Sequence, residues 1–514
     1  MQSQSVGVFF NDQESFNGYT LFTNNESTYL IDNCGYIVND WESDYWCNNG
    51  LELSKEGKLV RQGKVPSLNI FGGTAGVIEI FDWHNNLEWQ YLFNDSVVSH
   101  HDLLLMPNGN ILVNVWERIE GDEAENSGRE VPGIFYNEQI WEIKPLADNK
   151  AEVVWKWSFL DHVIQDVDST KENYGNVYDH PELLDINYIV PDVGINADWL
   201  HCNTLGYHEE FDQIVLSARN TSEIYVIDHS TTAEEAATGS GGSYGKGGDI
   251  LYRYGNPEAY DHGTPEDRIL FQSHDVDWIT HGPYKNDFIV FNNKYISSVR
   301  SRIQIWENPT TNGTYEFSDE NLFGNDQILW TYDTTGFYSS IMSNAQYLPN
   351  GNILTTEGST GEITEITPSG TSVWNYINPV DKSTGPVVQG DFPQNNSLFK
   401  CRRYEENFTG FENFELIPGE RVELMPEEDD CLIVPFSSVN TIEYTHPLFR
   451  ANHQTLQVVN QAAIGHSFIL YSITGQKVMQ FFVTSIDQYI DIRTLRTGVY
   501  IISGGTFVPQ KIFK

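Results

Sequence analysis

The stretch SHHDLLLMPNGNILV, residues 99–113, decides the fold. A near copy of its second half, NAQYLPNGNILTTEG, occupies residues 344–358. In both stretches the Asn-Gly pair of Pro-Asn-Gly-Asn supplies the positive φ angles that a tight hairpin turn requires. Both are therefore predicted to be β-hairpins. Only the first carries ionisable groups at the start of its strand, since Ser-Asn-Ala stands in the second where the first has His100, His101 and Asp102.

Two other phrases repeat along the chain. One is a short β run that ends in a turn residue; it occurs six times, for example as IEIFDWHNN from residue 78 and IYVIDH from residue 224. The second phrase alternates aromatic residues, as in VVWKWSF from residue 153 and SVWNYIN from residue 372. Alternation with period two, six copies and the lack of a long 3.6-period segment predict an all-β fold, a six-bladed β-propeller. The Trp and Tyr side chains of the second phrase are expected to pack between blades.

The repeat stops near residue 418, where an acidic connector containing ELMPEEDDCLIVPF begins. The remaining stretch contains several short segments with strand character, which predict a small β-sandwich. We therefore predict a propeller over residues 1–417, an acidic linker over 418–440 and a β-sandwich over 441–514.

The charge of the chain restricts its partners. Its 514 residues include 29 Lys and Arg against 72 Asp and Glu, a formal net charge of −43. Nucleic-acid binding needs clustered Lys and Arg, and an anionic membrane repels an acidic surface, so neither partner is expected. No segment approaches the roughly 18 apolar residues of a membrane span. The first residues lack the basic start and apolar region of a signal peptide and resemble the start of a mature chain.

Cysteine usage is sparse and odd in number. The spacing of the five cysteines fits no zinc template, and we predict neither a metal site nor a cofactor. Cys34 and Cys47 lie at the two ends of one strand-rich segment, and a disulfide between them is predicted if the protein is exported.

The end of the chain resembles the C-terminal sorting domain of the type IX secretion system of Bacteroidetes. The resemblance rests on LYSITGQKV (residues 470–478), IDIRTLRTGVYII (residues 490–502) and the terminal KIFK. It implies export across the outer membrane and cleavage of the tail by a sortase-like peptidase, followed by release or attachment to lipopolysaccharide. The expected location is therefore secreted or cell-surface, with the type IX machinery and its sortase as partners.

The preceding residues, about 18 to 404, resemble the arylsulfotransferase family. The carrying stretches include HHDLLLMPNGNILV, DWLHCNTLGYHEEFDQIVLSARNTSEIYVID, SHDVDWI and FYSSIMSNAQYLPNGNILTTEG. Members of that family are six-bladed propellers. The resemblance implies transfer of a sulfuryl group from a phenolic sulfate ester to another phenol without a nucleotide sulfate donor. A channel histidine acts as nucleophile in such enzymes, with two further histidines and an arginine around it.

Sulfuryl transfer needs in-line attack, stabilisation of charge on the sulfate oxygens and help for the departing phenolate. Histidine is a nucleophile when neutral and an acid when protonated. By the resemblance, His201 and His274 match the two supporting histidines, and Arg219 is a plausible sulfate-binding cation. One of His100 and His101 is expected in the channel, where Asp102 is able to orient its imidazole.

Two positions depart from the family pattern. Gly361 stands where the nucleophilic histidine is expected. Ser297 stands where the channel arginine is expected, which leaves Lys294, Arg300 or Arg302 as substitutes.

These departures leave more than one function open. Either His100, His101 or His274 has taken over as nucleophile, or the propeller is a surface protein that binds aryl sulfates or glycans without turnover. A propeller of the quinoprotein dehydrogenase type is a third class. It is disfavoured because it needs calcium and a quinone, typically beside a vicinal disulfide, and no two cysteines are adjacent in the sequence.

Overall fold

The computed structural model describes most of the chain: residues 4–191, 193, 197–296, 299–318, 322–324, 327–426, 431, 449–451, 454–459, 463–464, 466–472, 477–486, 488–496, 499–504 and 507–513. Ser297 and most of the residues between 427 and 448 lie outside the described residues. The chain divides into two compact units, Met1–Ile433 and Val434–Lys514. The division falls inside the predicted linker, whose first residues belong to the first unit. Each unit is described by itself.

The first unit is built from short strands, as the period-two alternation predicts. In chain order they are β1 (Gly7–Asn11), β2 (Gly18–Thr23), β3 (Ser27–Ile31), β4 (Ile37–Glu42), β5 (Leu51–Leu53), β6 (Leu59–Lys64), β7 (Gly76–Phe81), β8 (Leu87–Leu92), β9 (Val97–Leu105), β10 (Ile111–Ile119), β11 (Phe135–Leu146), β12 (Lys150–Ser158), β13 (Val163–Ile164), β14 (Leu184–Asp185), β15 (Cys202–His208), β16 (Gln213–Ala218), β17 (Glu223–Asp228), β18 (Tyr252–Tyr254), β19 (His274–Trp278), β20 (Phe288–Ile296), β21 (Arg300–Trp306), β22 (Ile328–Tyr332), β23 (Asn344–Tyr347), β24 (Ile353–Glu357), β25 (Glu362–Ile366), β26 (Ser372–Ile377), β27 (Val380–Asp381), β28 (Gly385–Pro386) and β29 (Arg402–Glu405).

Helical structure is limited to short segments within the described residues. They are α1 (Gly121–Asn126) and the 3-10 turns Pro66–Leu68, Phe159–His162, Val177–Asp179, Pro257–Tyr260, Pro265–Asp267, Gly282–Tyr284 and Thr409–Phe411. The predicted all-β class is confirmed.

Six antiparallel sheets of four or five strands account for most strands described in this unit. Their strand orders are β29-β2-β3-β4, β5-β6-β7-β8, β12-β11-β10-β9, β15-β16-β17-β18, β19-β20-β21-β22 and β1-β26-β25-β24-β23. The N-terminal strand β1 pairs with β26, while β29 from the far end of the unit pairs with β2. The two ends of the unit are thereby tied into sheets formed by the opposite end.

One edge strand of each sheet is hydrogen-bonded to an edge strand of the next by a side chain that accepts a backbone N–H. The bonds run from Leu105 to Glu52 (2.9 Å), Leu205 to Asp102 (3.2 Å), Asp275 to Thr204 (2.7 Å), Ala345 to Asp275 (2.9 Å), Arg403 to Gln346 (2.8 Å) and Leu53 to Tyr404 (2.8 Å). In strand terms the series is β5, β9, β15, β19, β23, β29 and again β5. We call these six strands the inner strands. Their contacts form a series that returns to its start.

The aromatic repeat supplies much of the core. Trp155, Trp157, Tyr254 and Trp374 are each at most 4% exposed. The ring of Tyr254 on β18 stacks on that of Trp306 on β21, with centroids 4.5 Å apart, so these rings join neighbouring sheets. Packing between sheets is therefore the role of these side chains, as the alternation predicts.

The predicted disulfide between Cys34 and Cys47 is wrong. Cys34 is bonded to Cys431, and Cys47 is a buried free thiol. Cys34 lies in the turn between β3 and β4, whereas Cys47 follows the far end of β4. The six residues of β4 separate them by roughly 20 Å, far beyond the reach of a disulfide.

The second unit contains β30 (Phe449–Ala451), β31 (Thr455–Val458), β32 (Ser467–Ser472), β33 (Lys477–Phe482), β34 (Tyr489–Asp491), β35 (Val499–Gly504) and β36 (Phe507–Phe513). They form two sheets, with orders β30-β31-β34 and β33-β32-β35-β36. Side chains from both sheets, such as Leu456 and Leu470, share one buried cluster. Among the described helices of the chain, none is long and apolar enough to cross a membrane.

Candidate active site

The predicted site residues meet along the inner strands. His100 and His101 lie in the middle of β9, His201 immediately precedes β15 and His274 is the first residue of β19. Arg219 directly follows β16, the neighbour of β15. The sequence positions of these side chains are far apart, but the order of the inner strands brings β9, β15 and β19 side by side.

Local irregularities of the backbone set the orientation of the histidine side chains. The pairing of β9 with β10 shifts between Leu103 and His100, so that His101 and Asp102 form a bulge. His101 and His201 have φ angles of 48° and 53°, a left-handed conformation that non-glycine residues rarely adopt. In a regular strand adjacent side chains point to opposite faces. The bulge instead lets the two imidazoles of His100 and His101 meet, with their Nδ1 atoms 2.9 Å apart.

A buried carboxylate faces the other nitrogen of His100. The distance from His100 Nε2 to Glu138 Oε2 is 2.9 Å, and both side chains are at most 2% exposed. The contact is bent and does not have the geometry of a hydrogen bond. The second oxygen of Glu138 accepts hydrogen bonds from Trp116 Nε1 (2.9 Å) and from the backbone N–H of Cys202 (2.8 Å). The indole ring of Trp116 also stacks on the His100 imidazole, with centroids 3.9 Å apart, which fixes the face of that ring.

His201 pairs with its own carboxylate. Its Nδ1 lies 2.5 Å from Asp198 Oδ2, and its ring contacts that of His101 edge to face at a centroid distance of 4.4 Å. A carboxylate at Nδ1 fixes the ring orientation. Asp198 therefore holds the His201 ring in place next to His101.

Both ring nitrogens of His274 are occupied by the protein. Nδ1 lies 2.8 Å from Asn293 Oδ1, and Nε2 accepts a hydrogen bond of 3.2 Å from the backbone N–H of Met342. Burial, together with the positive charge of Arg219, lowers the pKa of His274 to about 3. His274 is accordingly neutral near pH 7, with no lone pair left for a substrate in this arrangement.

Arg219 is the guanidinium of the cluster. Its two terminal nitrogens donate to Asn220 Oδ1 (2.9 Å) and Gln272 Oε1 (2.7 Å), so neutral amides hold the side chain. Burial lowers its pKa, and the nearby charge of Asp198 partly offsets this effect. Because its partners are neutral amides, the charge of Arg219 is not neutralised by them and is available to an anionic ligand such as a sulfate group.

The pKa of the His101 imidazole is also perturbed. Burial lowers it well below the ordinary value, and electrostatic effects of the neighbouring His201, His100, His274 and Arg219 side chains lower it further. His101 is therefore neutral at physiological pH, and a neutral imidazole is the nucleophilic form. The four predicted histidines and Arg219 therefore lie close enough to act as one cluster.

Asp102 does not orient an imidazole, contrary to the sequence interpretation. Its Oδ1 forms an ion pair of 2.5 Å with Lys400 Nζ and accepts the Leu103 N–H, while Oδ2 accepts the Leu205 N–H. The orienting carboxylate for the histidine pair is Glu138. The bulge that turns His101 also turns Asp102 toward β15 and Lys400.

The position expected for the family's nucleophile is closed. Gly361 has a φ of +66°, and a Cβ added there would overlap the backbone oxygen of Asn396. The segment around Asn396 is held in place because the Leu398 N–H donates to Gly358 O (2.9 Å). This segment continues to Phe399, whose ring lies 6.0 Å from that of His101. A histidine at 361 would therefore displace backbone that borders the cluster.

The remaining predicted cations have other contacts. Arg302 is paired with Asp333 and lies over the ring of Tyr295, while Arg300 lies 3.4 Å from Thr335 Oγ1. Lys294 lies on β20, where its N–H donates to Phe271 O. Within the described part of the chain, none of these contacts involves a histidine of the cluster.

Sequence reasoning missed Glu138, Asp198 and Lys400. The available signal for Glu138 was the run Asn-Glu-Gln at residues 137–139, three consecutive polar residues inside a strand and all buried. Lys400 lies two residues before β29 and belongs to no motif that the sequence analysis recognised. Among the described residues, no group of three His, Cys, Asp or Glu side chains is arranged to hold a metal ion.

The fold and site define an all-β protein with a buried cluster of imidazoles and one guanidinium. The profile of the Arylsulfotransferase (ASST) family matches residues 8–397, and the chain belongs to this family. No curated protein matches the chain significantly.

The solved structures that match this chain have low sequence identity to it. A protein of unknown function from Bacteroides caccae has 11% identity and a TM-score of 0.42, over 76% of this chain and 100% of its own. A putative 6-phosphogluconolactonase from Bacteroides fragilis has 11% identity and a TM-score of 0.37, over 76% and 99%. A catalytically inactive virginiamycin B lyase from Staphylococcus aureus has 8% identity and a TM-score of 0.33, over 73% and 89%. Similarity at this level says nothing about activity.

Proposed function

We propose that the first unit is a six-bladed β-propeller and an aryl-sulfate sulfotransferase. The reaction moves a sulfuryl group from a phenolic sulfate ester to a phenol, without a nucleotide donor and through channel histidines. Family membership supports the reaction class. The six sheets and the closed series of inner-strand contacts support the propeller.

The observation that carries the proposal is the composition of the cluster. A neutral buried imidazole, His101, lies in ring contact with His201, whose Nδ1 lies against the carboxylate of Asp198. Arg219 adds a guanidinium whose hydrogen-bond partners are neutral amides. A nucleophile, an acid and a sulfate-binding cation are the parts that in-line sulfuryl transfer requires.

The test is release of p-nitrophenol from p-nitrophenyl sulfate in the presence of a phenol and the absence of a nucleotide donor. We expect acceptor-dependent release that His201→Ala and Arg219→Ala each reduce. His84→Ala is the matched control, because His84 is exposed on the turn between β7 and β8. Equal activity of all three variants, or no release with any phenol, contradicts the proposal.

One observation favours a second candidate function, a surface propeller that binds aryl sulfates or glycans without turnover. The family position for the nucleophile is Gly361, which the Asn396 segment covers. Saturable binding of p-nitrophenyl sulfate in calorimetry, lost in Arg219→Ala and unaccompanied by release, would identify that function.

We further propose that the second unit is a type IX sorting domain with a sandwich fold, and that the mature protein is secreted or placed on the cell surface. The support is the resemblance of its sequence motifs. Expression in a type IX-competent bacterium of the full chain and of a variant lacking residues 434–514 tests this. Retention of the truncated protein inside the cell, with export of the full chain, is expected; export of both contradicts it.

A further inference from the structure

Two lysines of the first unit converge on one aromatic ring. The ammonium nitrogen of Lys382 lies 4.1 Å from the centre of the Trp46 ring, and that of Lys64 lies 5.6 Å from it. Among the rings of the residues that the structure describes, Trp46 is the one with two cations over it. We call Trp46, Lys64 and Lys382 the Lys-Trp site.

The charge of the Lys-Trp site is not neutralised by the protein. Neither ammonium group forms an ion pair with a carboxylate of the described residues. The carboxylate next in sequence, Asp381, is engaged elsewhere, because its oxygens accept the backbone N–H groups of residues 383, 384, 394 and 395. In a chain with a formal charge of −43, these two lysines therefore form a local positive patch.

The surroundings of the two ammonium groups favour an anionic ligand. Partial burial lowers the pKa of Lys382, and the charge of Lys64 lowers it further. The Trp46 ring offsets part of this repulsion through its cation–π contacts, and an anion would offset more. Lys382 is exposed and Lys64 is half-buried, so a ligand from solvent can reach the pair.

The Lys-Trp site lies at the end of the first unit that holds the histidine cluster. Trp46 comes four residues before Gly50, whose N–H donates to His101 O (2.7 Å). Four residues of extended chain span at most about 14 Å, which limits the distance between the Trp46 and Gly50 backbones. Lys64 ends β6, and the loop after it leads to Gly73, whose carbonyl accepts the His101 N–H (2.8 Å).

The third loop brings Lys382 to the same place. Lys382 lies between β27 and β28, and the chain after β28 continues to Phe399, whose ring centre is 6.0 Å from that of His101. The Phe399 N–H donates to Asn48 Oδ1 (2.6 Å), which ties this loop to the segment that carries Trp46. The three loops that form the Lys-Trp site are thus the loops that border the His101 imidazole.

We propose that the Lys-Trp site binds the anionic group of an acidic acceptor phenol, such as a phenol with a carboxylate on a short arm. The inference rests on the proposed sulfotransferase function and adds the class of its acceptor. Lys64 and Lys382 attract the carboxylate, and the hydroxyl at the other end of the ligand is then directed toward the cluster. Both lysines are specificity residues, and Trp46 is a positioning residue that holds their side chains.

The first experiment compares two acceptors that differ in charge, p-hydroxyphenylpropionate and its methyl ester, with p-nitrophenyl sulfate as donor. We expect the acid to have the lower KM in the wild type. The double variant Lys64→Gln with Lys382→Gln should raise the KM of the acid roughly 5–20-fold, with kcat and the KM of the ester and of the donor little changed. Added salt should reduce the preference of the wild type for the acid, because it screens the attraction.

Lys55→Gln with Lys144→Gln is the matched control. It removes the same charge from two exposed lysines, and Lys55 lies in the turn between β5 and β6, at the end of β6 opposite to Lys64. The control should leave the KM of both acceptors unchanged. Trp46→Leu should raise the KM of the acid alone, and Trp46→Phe, which keeps an aromatic face, should recover most of that loss.

The second experiment measures binding without turnover, by calorimetry of the two acceptors with the full chain. We expect the acid to bind the wild type and the control variant more tightly than the ester does, and this difference to disappear in the double lysine variant. Equal effects of the double variant on acid and ester, or no effect on either, overturn the inference while the sulfotransferase stands. If turnover is absent but the calorimetric difference is found, the proposed function fails and the anion site stands.

Discussion

Several imidazoles of the first unit lie against carboxylates, and among them His229 and His201 differ in their remaining contacts. His229 lies between Glu142 (3.0 Å) and Asp212 (2.7 Å), with both ring nitrogens engaged. Burial lowers its pKa, but the two carboxylates outweigh burial and raise the pKa to about 9. His201 has one carboxylate, Asp198, and a ring edge against His101. His229 is held by carboxylates at both ring nitrogens, whereas His201 is held by a carboxylate at Nδ1.

Substitution of Arg219 tests the sulfate-binding cation. We expect Arg219→Ala to lower kcat/KM for p-nitrophenyl sulfate by roughly 10²–10³-fold, because one charged donor to the developing charge is removed. Arg219→Lys should recover part of this loss, since the charge remains while the two-pronged donor geometry is lost. Steady-state kinetics measures both, with thermal unfolding as the check on folding. Equal losses in the two variants would show that charge is not what Arg219 supplies.

Restoring the family histidine should fail. Gly361→His places a side chain at a φ of +66° and against the Asn396 oxygen, so strain and overlap both oppose it. We expect a loss of about 2–5 kcal/mol in the free energy of unfolding and no gain in turnover. Gly370→His is the control, because its φ is +84° but a Cβ there meets only the Tyr332 ring at 3.8 Å. Denaturant unfolding of both variants should show the larger loss at 361.

The sequence predicted part of this cluster. His201, His274 and Arg219 came from motif resemblance, and the structure brings all three together. Glu138 lies on the third strand of its sheet, and its contact with His100 depends on the bulge at His101. Bulges leave little trace in an alternating pattern, so the partner of His100 was out of reach of sequence reasoning.

At the scale of elements, the two Pro-Asn-Gly-Asn hairpins were predicted correctly. Gly109 and Gly351 have φ angles of 86° and 88°, whereas Asn108 and Asn350 do not have positive φ, so the glycine and not the Asn-Gly pair supplies the positive angle of each turn. β9 pairs with β10 and β23 with β24 in the same antiparallel manner. The hairpins differ at their strand starts, where β23 has no bulge. The repeated element is therefore a structural unit, and the ionisable groups are an addition to one copy.

The bond between Cys34 and Cys431 joins residues 397 positions apart. Closing so long a loop restricts the unfolded chain, so its loss should cost about 2–5 kcal/mol. We expect Cys34→Ser with Cys431→Ser, or reduction of the wild type, to lower the unfolding midpoint of the first unit. The reductant should have no effect on the double variant. An unchanged midpoint after verified reduction would contradict this expectation.

At the scale of the whole molecule, the repeated phrases of the sequence predicted the fold class, and the resemblance of its motifs predicted the family. The order of the inner strands was not available from the sequence, because each bond joins segments that are far apart along the chain. The contact of β29 with β5 links Tyr404 to Leu53. Residues near the two ends of the first unit thus complete the series, which explains why the series needs nearly the full length of this unit.

The acidic balance of the chain, with a formal charge of −43, makes its stability depend on pH. His229 has a folded pKa of about 9, so its contribution is complete below its ordinary value of 6.5 and is lost as the pH rises to 9. Burial raises the pKa of Asp275 to about 6 and of Asp277 and Glu357 to about 7. Ionising these carboxylates costs stability above those values, and the cost is removed as the pH falls toward 4.

The loss of the His229 contribution and the cost of ionising the buried carboxylates both lower the stability as the pH rises above 6. The unfolding temperature should therefore be higher at pH 6 than at pH 9, by roughly 5 °C. Below about pH 4, where the cost of the buried carboxylates has been removed, the trend should reverse because of Glu142. Burial raises the pKa of this carboxyl, but its hydrogen bonds to His229, Asn110 and Asn108 outweigh burial and lower the pKa to about 2, so protonation removes its contribution. Calorimetric scans at constant ionic strength measure the profile. His229→Gln should flatten the part between pH 6.5 and 9 and leave the part between pH 4 and 6 in place. An unfolding temperature that rises from pH 6 to pH 9 would contradict the sign inferred for the His229 imidazolium and the buried carboxylates together.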